Sequence, residues 1–302
     1  MNKLFKTAFT LIELLVVIAI IGILSGLVIV TMSGVTAKAN IAKSQVFSNS
    51  LRNALMLNLV SEWKMDEGSG SSTVDSWSSG NNGFLVNFAS VAVGYGDTNN
   101  DGWMSSLGCV SGSCLKFYGS NDYISLGSKN NLDYLQFLTV EAWVKPLAYN
   151  SYGRIVSNQV WSSGTWALMN SGTTGIIQFG ISNQNDNRIT INSISQVPLN
   201  QWSHIVGTWD GSTMKIFING IKESEGLQTG YISSSNVITI GAGNLGGSPF
   251  AGVIDNIRAY NSAVPASRIK EQYYAGLNSL FINGGITKEE YLSRINNYAS
   301  DN

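Results

Sequence analysis

Two cysteines, one histidine and a sparse set of carboxylates are the residues whose chemistry could define a site on this chain. Cys109 and Cys114 enclose four residues in the string CVSGSC. That spacing is not the Cys-x-x-Cys of redox enzymes, and His204 lies too far along the chain to complete an obvious zinc set. In an exported protein the pair closes as a local disulfide; in a reducing compartment it remains two buried thiols. The string DTNNDG begins like a calcium loop, with Asp97, Asn99 and Asp101 as oxygen donors. Gly108 stands where such a loop carries its last, bidentate Glu, and a polar hairpin tip is the competing reading.

For catalysis the inventory is thin. Cleaving a glycoside takes two carboxylates at a controlled separation. Glu141, in VEAWVKP, faces one side of a strand, and no second acid follows at alternating positions. His204 shares a strand face with Trp202 and Val206 in WSHIVGTW, the pattern of a core histidine, and no Ser/His/Asp arrangement includes it. Recognition by stacking has more material: Tyr149, Tyr152, Trp161 and Trp166 lie in or beside loop-like stretches. Their aromatic faces suit sugars or protein anchors as well as core packing.

Glu13 is the carboxylate out of place. It sits at the edge of an apolar run, Leu14 to Met32, whose 19 residues span roughly 28 Å at the helical rise, enough to cross a bilayer. A secretory signal peptide has a shorter apolar core followed by a small-residue cleavage site, which is not found here. The segment Lys6-Thr7-Ala8-Phe9-Thr10-Leu11-Ile12-Glu13-Leu14-Leu15 resembles the leader and helix of type IV prepilins and pseudopilins. The resemblance implies cleavage by a prepilin peptidase between Ala8 and Phe9, on the cytoplasmic side, and N-methylation of the new terminus. Ala8 stands where most members have Gly. Glu13 becomes the fifth residue of the mature chain and, by the same resemblance, meets the terminus of a neighbouring subunit during assembly. Lys3 and Lys6 hold the leader inside, although Lys38 and Lys43 flank the outer end too, so orientation rests on the resemblance. Beyond the membrane, Ala39, Ala42, Val46, Phe47, Leu51, Ala54 and Leu55 keep a helical period, extending the helix to about Val60.

From about Ser61 the pattern changes to short β-like runs separated by Gly, Ser and Asn clusters, which predicts an antiparallel sandwich or barrel. Composition agrees: 32 glycines, four prolines and only 12% charged residues describe a turn-rich domain with a neutral polar surface. The net charge of -1 offers no electrostatic case for nucleic acid. Asn219-Gly220 inside MKIFINGIKES predicts a type I′ hairpin. Five strings in order, WKMDEGSGSSTVDSWSSGNNG, CLKFYGSNDYISLG, LTVEAWVKP, WSHIVGTWDGSTMKIFINGI and FAGVIDNIRAYNSAVPASRI, resemble the laminin-G-like, concanavalin A-like jelly rolls. That resemblance implies a calcium ion at Asp66 and Asp255, residues of the matching WKMDEG and GVIDNIRAY strings. Tyr118 stands where the family more often has Asp. The E-x-D-x-x-E string of the related β-glucanases is absent.

The tail reads as a helical hairpin: PASRIKEQYYAGLNSLFINGG is stopped by Gly284-Gly285, and a capping box, Thr287 with Glu290, restarts the helix. The expected organisation is a leader over 1–8, a transmembrane and stalk helix over 9–60, a β-sandwich over 61–263 and a helical hairpin over 264–302. The expected function is a non-enzymatic filament or surface-appendage subunit whose lectin-like head binds extracellular glycan or protein. Its partners are a prepilin peptidase and other pilin subunits. It is anchored in the bacterial cytoplasmic membrane with the N-terminus inside, then moves to the cell surface. A pseudopilin of a type II secretion or DNA-uptake machine is the alternative, and a surface-anchored carbohydrate-active enzyme the third reading.

Overall fold

The computed structural model describes residues 11–12, 14–22, 58–77, 80–88, 102–105, 107–127, 132, 134–158, 163–233, 237–243 and 246–299. The chain divides into two compact units, Met1–Leu57 and Asn58–Asn302. In the first, residues 11–12 and 14–22 are helical (α1), and among the described residues no helix is long and apolar enough to cross a membrane. The larger part of the expected span lies outside the described residues.

The second unit is an antiparallel β-sandwich. One sheet contains β1 (Leu59–Trp63), β4 (Gly102–Met104), β5 (Cys114–Phe117), β7 (Leu138–Ala148), β12 (Ser203–Trp209), β13 (Thr213–Ile218), β14 (Ile221–Leu227) and β16 (Ala251–Tyr260). Its order is β14-β13-β12-β7-β16-β5-β4, with β1 also paired to β16. The other contains β2 (Ser72–Thr73), β3 (Gly83–Val86), β6 (Tyr123–Ser125), β8 (Arg154–Ser157), β9 (Trp166–Asn170), β10 (Ile176–Ser182), β11 (Arg188–Gln196) and β15 (Thr239–Ile240), in the order β11-β10-β9-β8-β15-β6-β3-β2.

Alternation explains the layers. Along β7, Leu138, Val140, Ala142 and Val144 point inward, meeting Ile205 and Trp209 of β12 and, from the opposite sheet, Leu168, Phe179 and Ile181. Gly207 is required where the sheets approach: a Cβ there would lie 2.7 Å from the Phe179 ring. The predicted hairpin forms, Asn219 and Gly220 adopting φ of 52° and 81°, both positive as a type I′ turn demands.

The outer face of the first sheet is covered as well. Helix α2 (Ala266–Ile282) buries Ile269, Tyr273, Leu277 and Leu280, one stripe at helical spacing, against Trp143, Trp202 and Val253. Gly276 makes that contact possible, since a Cβ would fall 2.4 Å from the Trp143 indole. The helix ends at Asn283, and Gly284 takes φ 69° while the Gly285 amide returns to the Leu280 carbonyl at 2.8 Å. Helix α3 (Lys288–Ala299) then starts with the Glu290 amide donating to Thr287 Oγ1 at 3.2 Å. Arg294 fixes it to the sheet, donating to the Trp202 carbonyl at 2.8 Å and pairing with Glu290 at 2.7 Å.

The two sheets also meet at their edges. Glu223 of β14 accepts the Ile194 and Ser195 amides of β11 on one carboxylate oxygen, at 3.0 and 2.7 Å.

Candidate functional site

The carboxylates expected to hold calcium come together at one loop. Cys109 and Cys114 are joined by a disulfide with Cα atoms 5.6 Å apart, which closes CVSGSC into a ring of backbone amides. Asp255 Oδ2 accepts from the Val110 amide at 2.8 Å and the Ser111 amide at 3.3 Å. Asp66 accepts from the Ser113 amide, and its carboxylate packs against the α-carbon of Gly112, where no side chain would fit. Burial pushes the Asp255 carboxyl well up, against the pull of those amides, with Asp66 adding like charge. Burial, opposed by Lys64, also raises Asp66. Among the described residues, no donor reaches the buried Asp255 Oδ1.

That orphaned oxygen and the two carboxylates are what a hard cation would satisfy, so Asp66 and Asp255 fit calcium as two of its oxygen ligands. The sulfurs of Cys109 and Cys114 lie within 4.8 Å of an Asp255 oxygen, but joined as a disulfide they are not ligands. The same stretch also meets the end of α2 and the start of β12. Asn283 Nδ2 donates to the Val110 carbonyl at 3.1 Å, and Trp202 Nε1 donates to the Gly108 carbonyl at 2.8 Å.

A second polar cluster lies under α2. Glu141, fully buried, accepts from Arg258 Nη1 at 2.9 Å and from the Tyr260 hydroxyl at 3.3 Å, while His204 Nε2 stands 3.4 Å from its other oxygen. Arg258 Nε reaches Glu62 at 2.7 Å. Burial alone would raise Glu141; His204 and Arg258 override it and hold the carboxyl below the ordinary value. Glu62 behaves the same way, burial being overridden by Arg258. Gln272 of α2 donates to the Tyr260 hydroxyl at 2.7 Å, and Tyr273 stacks on Trp143 with centroids 5.8 Å apart. Glu141 and Glu62 thus share one guanidinium beneath a helix, an arrangement that ties sheet to helix and leaves Glu141 no contact with solvent. Arg258 was not singled out by spacing, because a bulge between Asp255 and Arg258 shifts the strand's alternation.

The aromatic residues separate. Trp166 is buried in the core, Tyr149 packs against Gly175 with its hydroxyl donating to the Val197 carbonyl, and Tyr152 is half exposed at φ 55°. Trp161, the calcium-loop residues Asp97, Asn99 and Asp101, and the leader residues Ala8, Phe9 and Glu13 lie outside the described residues.

Comparison with known proteins bears on both units. Residues 6–29 match the prokaryotic N-terminal methylation motif, and residues 118–270 match the concanavalin A-like lectin/glucanases superfamily. A search of curated proteins finds no match. Among solved structures the chain is similar to domain 4 of AbnA, a GH43 extracellular arabinanase from Geobacillus stearothermophilus, solved in complex with arabinotriose. The TM-score is 0.54 at 18% identity, over 71% of this chain and 97% of that one. It is similar to the binding domain of Paraclostridial Mosquitocidal Protein 1, with TM-score 0.55 and 17% identity over 74% of this chain and 53% of the other. The receptor binding domain of botulinum neurotoxin D gives TM-score 0.52 and 18% identity, over 74% and 54%. At these identities the likeness is one of fold. The chain belongs to the concanavalin A-like lectin/glucanases superfamily, and it carries a prokaryotic N-terminal methylation motif ahead of that domain.

Proposed function

We infer that this chain is a pilin-like subunit of a bacterial surface filament whose head binds extracellular saccharide or protein. The observation that carries the reading is the presence on one chain of the methylation motif at 6–29 and a lectin-like domain at 118–270. The prepilin peptidase cuts between Ala8 and Phe9, and the chain is anchored in the cytoplasmic membrane before assembly with its own or related subunits. The reading assigns no catalytic residue: Glu62 and Glu141 are paired with the half-buried Arg258, and Asp66 and Asp255 meet at the 109–114 loop. Capture of sheared surface fibres containing the chain, together with saccharide binding by the purified protein, tests it. Fibres absent and the chain retained in an envelope complex would favour a pseudopilin instead. Arabinotriose is the first neutral saccharide to try, given the fold likeness to a domain solved with it.

Calcium is part of the proposal. Asp66 and Asp255 hold it, with Asp97, Asn99 and Asp101 as a second oxygen set to substitute. The ion would neutralise the carboxylates and fix the 109–114 loop. The expected outcome is a melting temperature that rises with calcium and falls with EDTA, and a response lost in Asp255→Asn. An EDTA-insensitive melt with no metal by elemental analysis would remove the ion.

A further inference from the structure

The outer face of the second sheet is open at its β2 end, and strand register fixes what stands there. Phe84 of β3 pairs with Ser72 of β2 on one side and with Ser125 of β6 on the other, which sets three α-carbons in line at spacings of about 5 Å. Alternation gives their direction. Leu85 and its partner Ile124 pack into the core, Ile124 and Leu126 enter it on either side of Ser125, and Thr73 after Ser72 is fully buried. Ser72, Phe84 and Ser125 therefore all point outward. Gly83 closes the inner side, since a Cβ there would lie 2.4 Å from Ile124 Cγ2 and 2.9 Å from Thr73 Cγ2. The same row continues through Thr239, Ser157 and Ala167, but these three are buried, so its open part ends at Ser125.

Phe84 is informative because its own chemistry gives it no reason to face water. It is 64% exposed, more than any other phenylalanine or tryptophan among the described residues. An exposed tyrosine solvates its hydroxyl, whereas a phenylalanine ring has no polar tip. Ser72 and Ser125 are half-buried beside it, and among the described residues neither hydroxyl has a hydrogen-bond partner. None of Ser72, Val74, Phe84, Val86 and Ser125 carries a charge. Glu67, the carboxylate that reaches this edge, is engaged: it accepts the Val74 amide at 2.7 Å and the Thr73 hydroxyl at 3.3 Å, which holds β2 in place. An aromatic face set between two hydroxyls matches a sugar ring, whose apolar C–H face stacks on the aromatic while its hydroxyls exchange hydrogen bonds with the serines.

We propose that Ser72, Phe84 and Ser125 form a binding site for a neutral oligosaccharide, one ring stacked on Phe84 and its hydroxyls bonded to the two serines. Across the strands the open stretch covers two spacings, about 10 Å, and along the four residues of β3 it covers about 13 Å. That footprint is far below the roughly 800 Å² per partner that a stable protein interface buries, which favours a small ligand over a second copy of the chain. The proposal rests on the saccharide-binding reading and names the class of saccharide and its place on the head.

The test is a calorimetric titration of the full chain in detergent micelles with arabinotriose, cellotriose and oligogalacturonate. Expected are binding of a neutral probe that is insensitive to salt between about 50 and about 300 mM, and a loss of about tenfold in Phe84→Ala. Phe84→Tyr, which keeps the ring, is expected to retain affinity. Ser72→Ala/Ser125→Ala is expected to weaken binding by about tenfold through its two lost hydrogen bonds. Near-UV circular dichroism and melting temperature verify that each variant is folded, and the serine variant supplies an arm independent of the ring. Neutral-probe affinity unchanged in both Phe84→Ala and the serine variant overturns the site and leaves saccharide binding standing. Binding of oligogalacturonate alone, weakened by salt, overturns the neutral class. Loss of fibres in Phe84→Ala with saccharide affinity intact assigns the ring to a subunit contact instead, and no binding of any probe by the wild type retires the parent reading too.

Discussion

Asn256 decides which way its neighbours on β16 face. It takes φ 47°, a left-handed conformation that asparagine tolerates, and the bulge it creates places Arg258 and Tyr260 on the same outer face as Asp255. Strict alternation would put Arg258 in the core. Glu141 and Glu62 then both close on Arg258, and removing the cation leaves the buried Glu141 charge with only His204 and the Tyr260 hydroxyl beside it. Arg258→Met is expected to cost about 3–5 kcal/mol in denaturant unfolding. The pH dependence has a definite sign. Both glutamates have folded pKa values below the ordinary 4.5, so their contribution is complete above that value and is lost as pH falls through the lowered ones. The wild-type melting temperature should therefore drop on acidification below about pH 4.5, and the Arg258→Met variant should show a shallower drop. Gly276 is the other single residue with a large effect. Alanine would improve helix propensity by about 1 kcal/mol but press into the Trp143 indole, and overpacking of about 1–3 kcal/mol outweighs that gain. A lower melting temperature for Gly276→Ala checks the balance.

At the scale of elements, the disulfide ring links three parts of the head: its amides face Asp66 and Asp255, its Val110 carbonyl receives Asn283, and Gly108 just before it receives Trp202. A short closed loop restricts the unfolded chain by only about 2 kcal/mol. Cys109→Ser/Cys114→Ser should lower the melting temperature by about 4–8 °C, measured by calorimetry, without abolishing folding. Much of this level was readable beforehand. Alternating apolar residues marked β7, β12 and β16, Asn219-Gly220 marked a hairpin, and Thr287 and Gly284 marked the ends of the C-terminal helices. Periodicity reports which face is apolar and says little about what covers a polar one. The outer face of β7, with Glu141 and Trp143, therefore gave no sign that α2 lies over it, and His204 was legible as a buried residue but not as Glu141's neighbour. The pairing of Asp66 with Asp255 came from family likeness, since 189 positions of sequence separate them and no local pattern joins them.

At the scale of the whole molecule, the methylation motif and the lectin-like head make separable predictions. Mass spectrometry of the mature chain should find it beginning at N-methylated Phe9, and a chain still carrying Met1–Ala8 would exclude processing. Glu13→Ala should abolish fibre assembly while the head keeps its melting temperature; normal fibres from that variant would end the register argument. A filament repeats its subunit at high local concentration, where an exposed strand edge is a hazard. The Glu223 carboxylate occupies the Ile194 and Ser195 amides on β11, the outermost strand of its sheet. Two donors that a neighbouring head could otherwise recruit for strand pairing are already taken, which in the proposed fibre would disfavour edge-to-edge pairing at this point of β11.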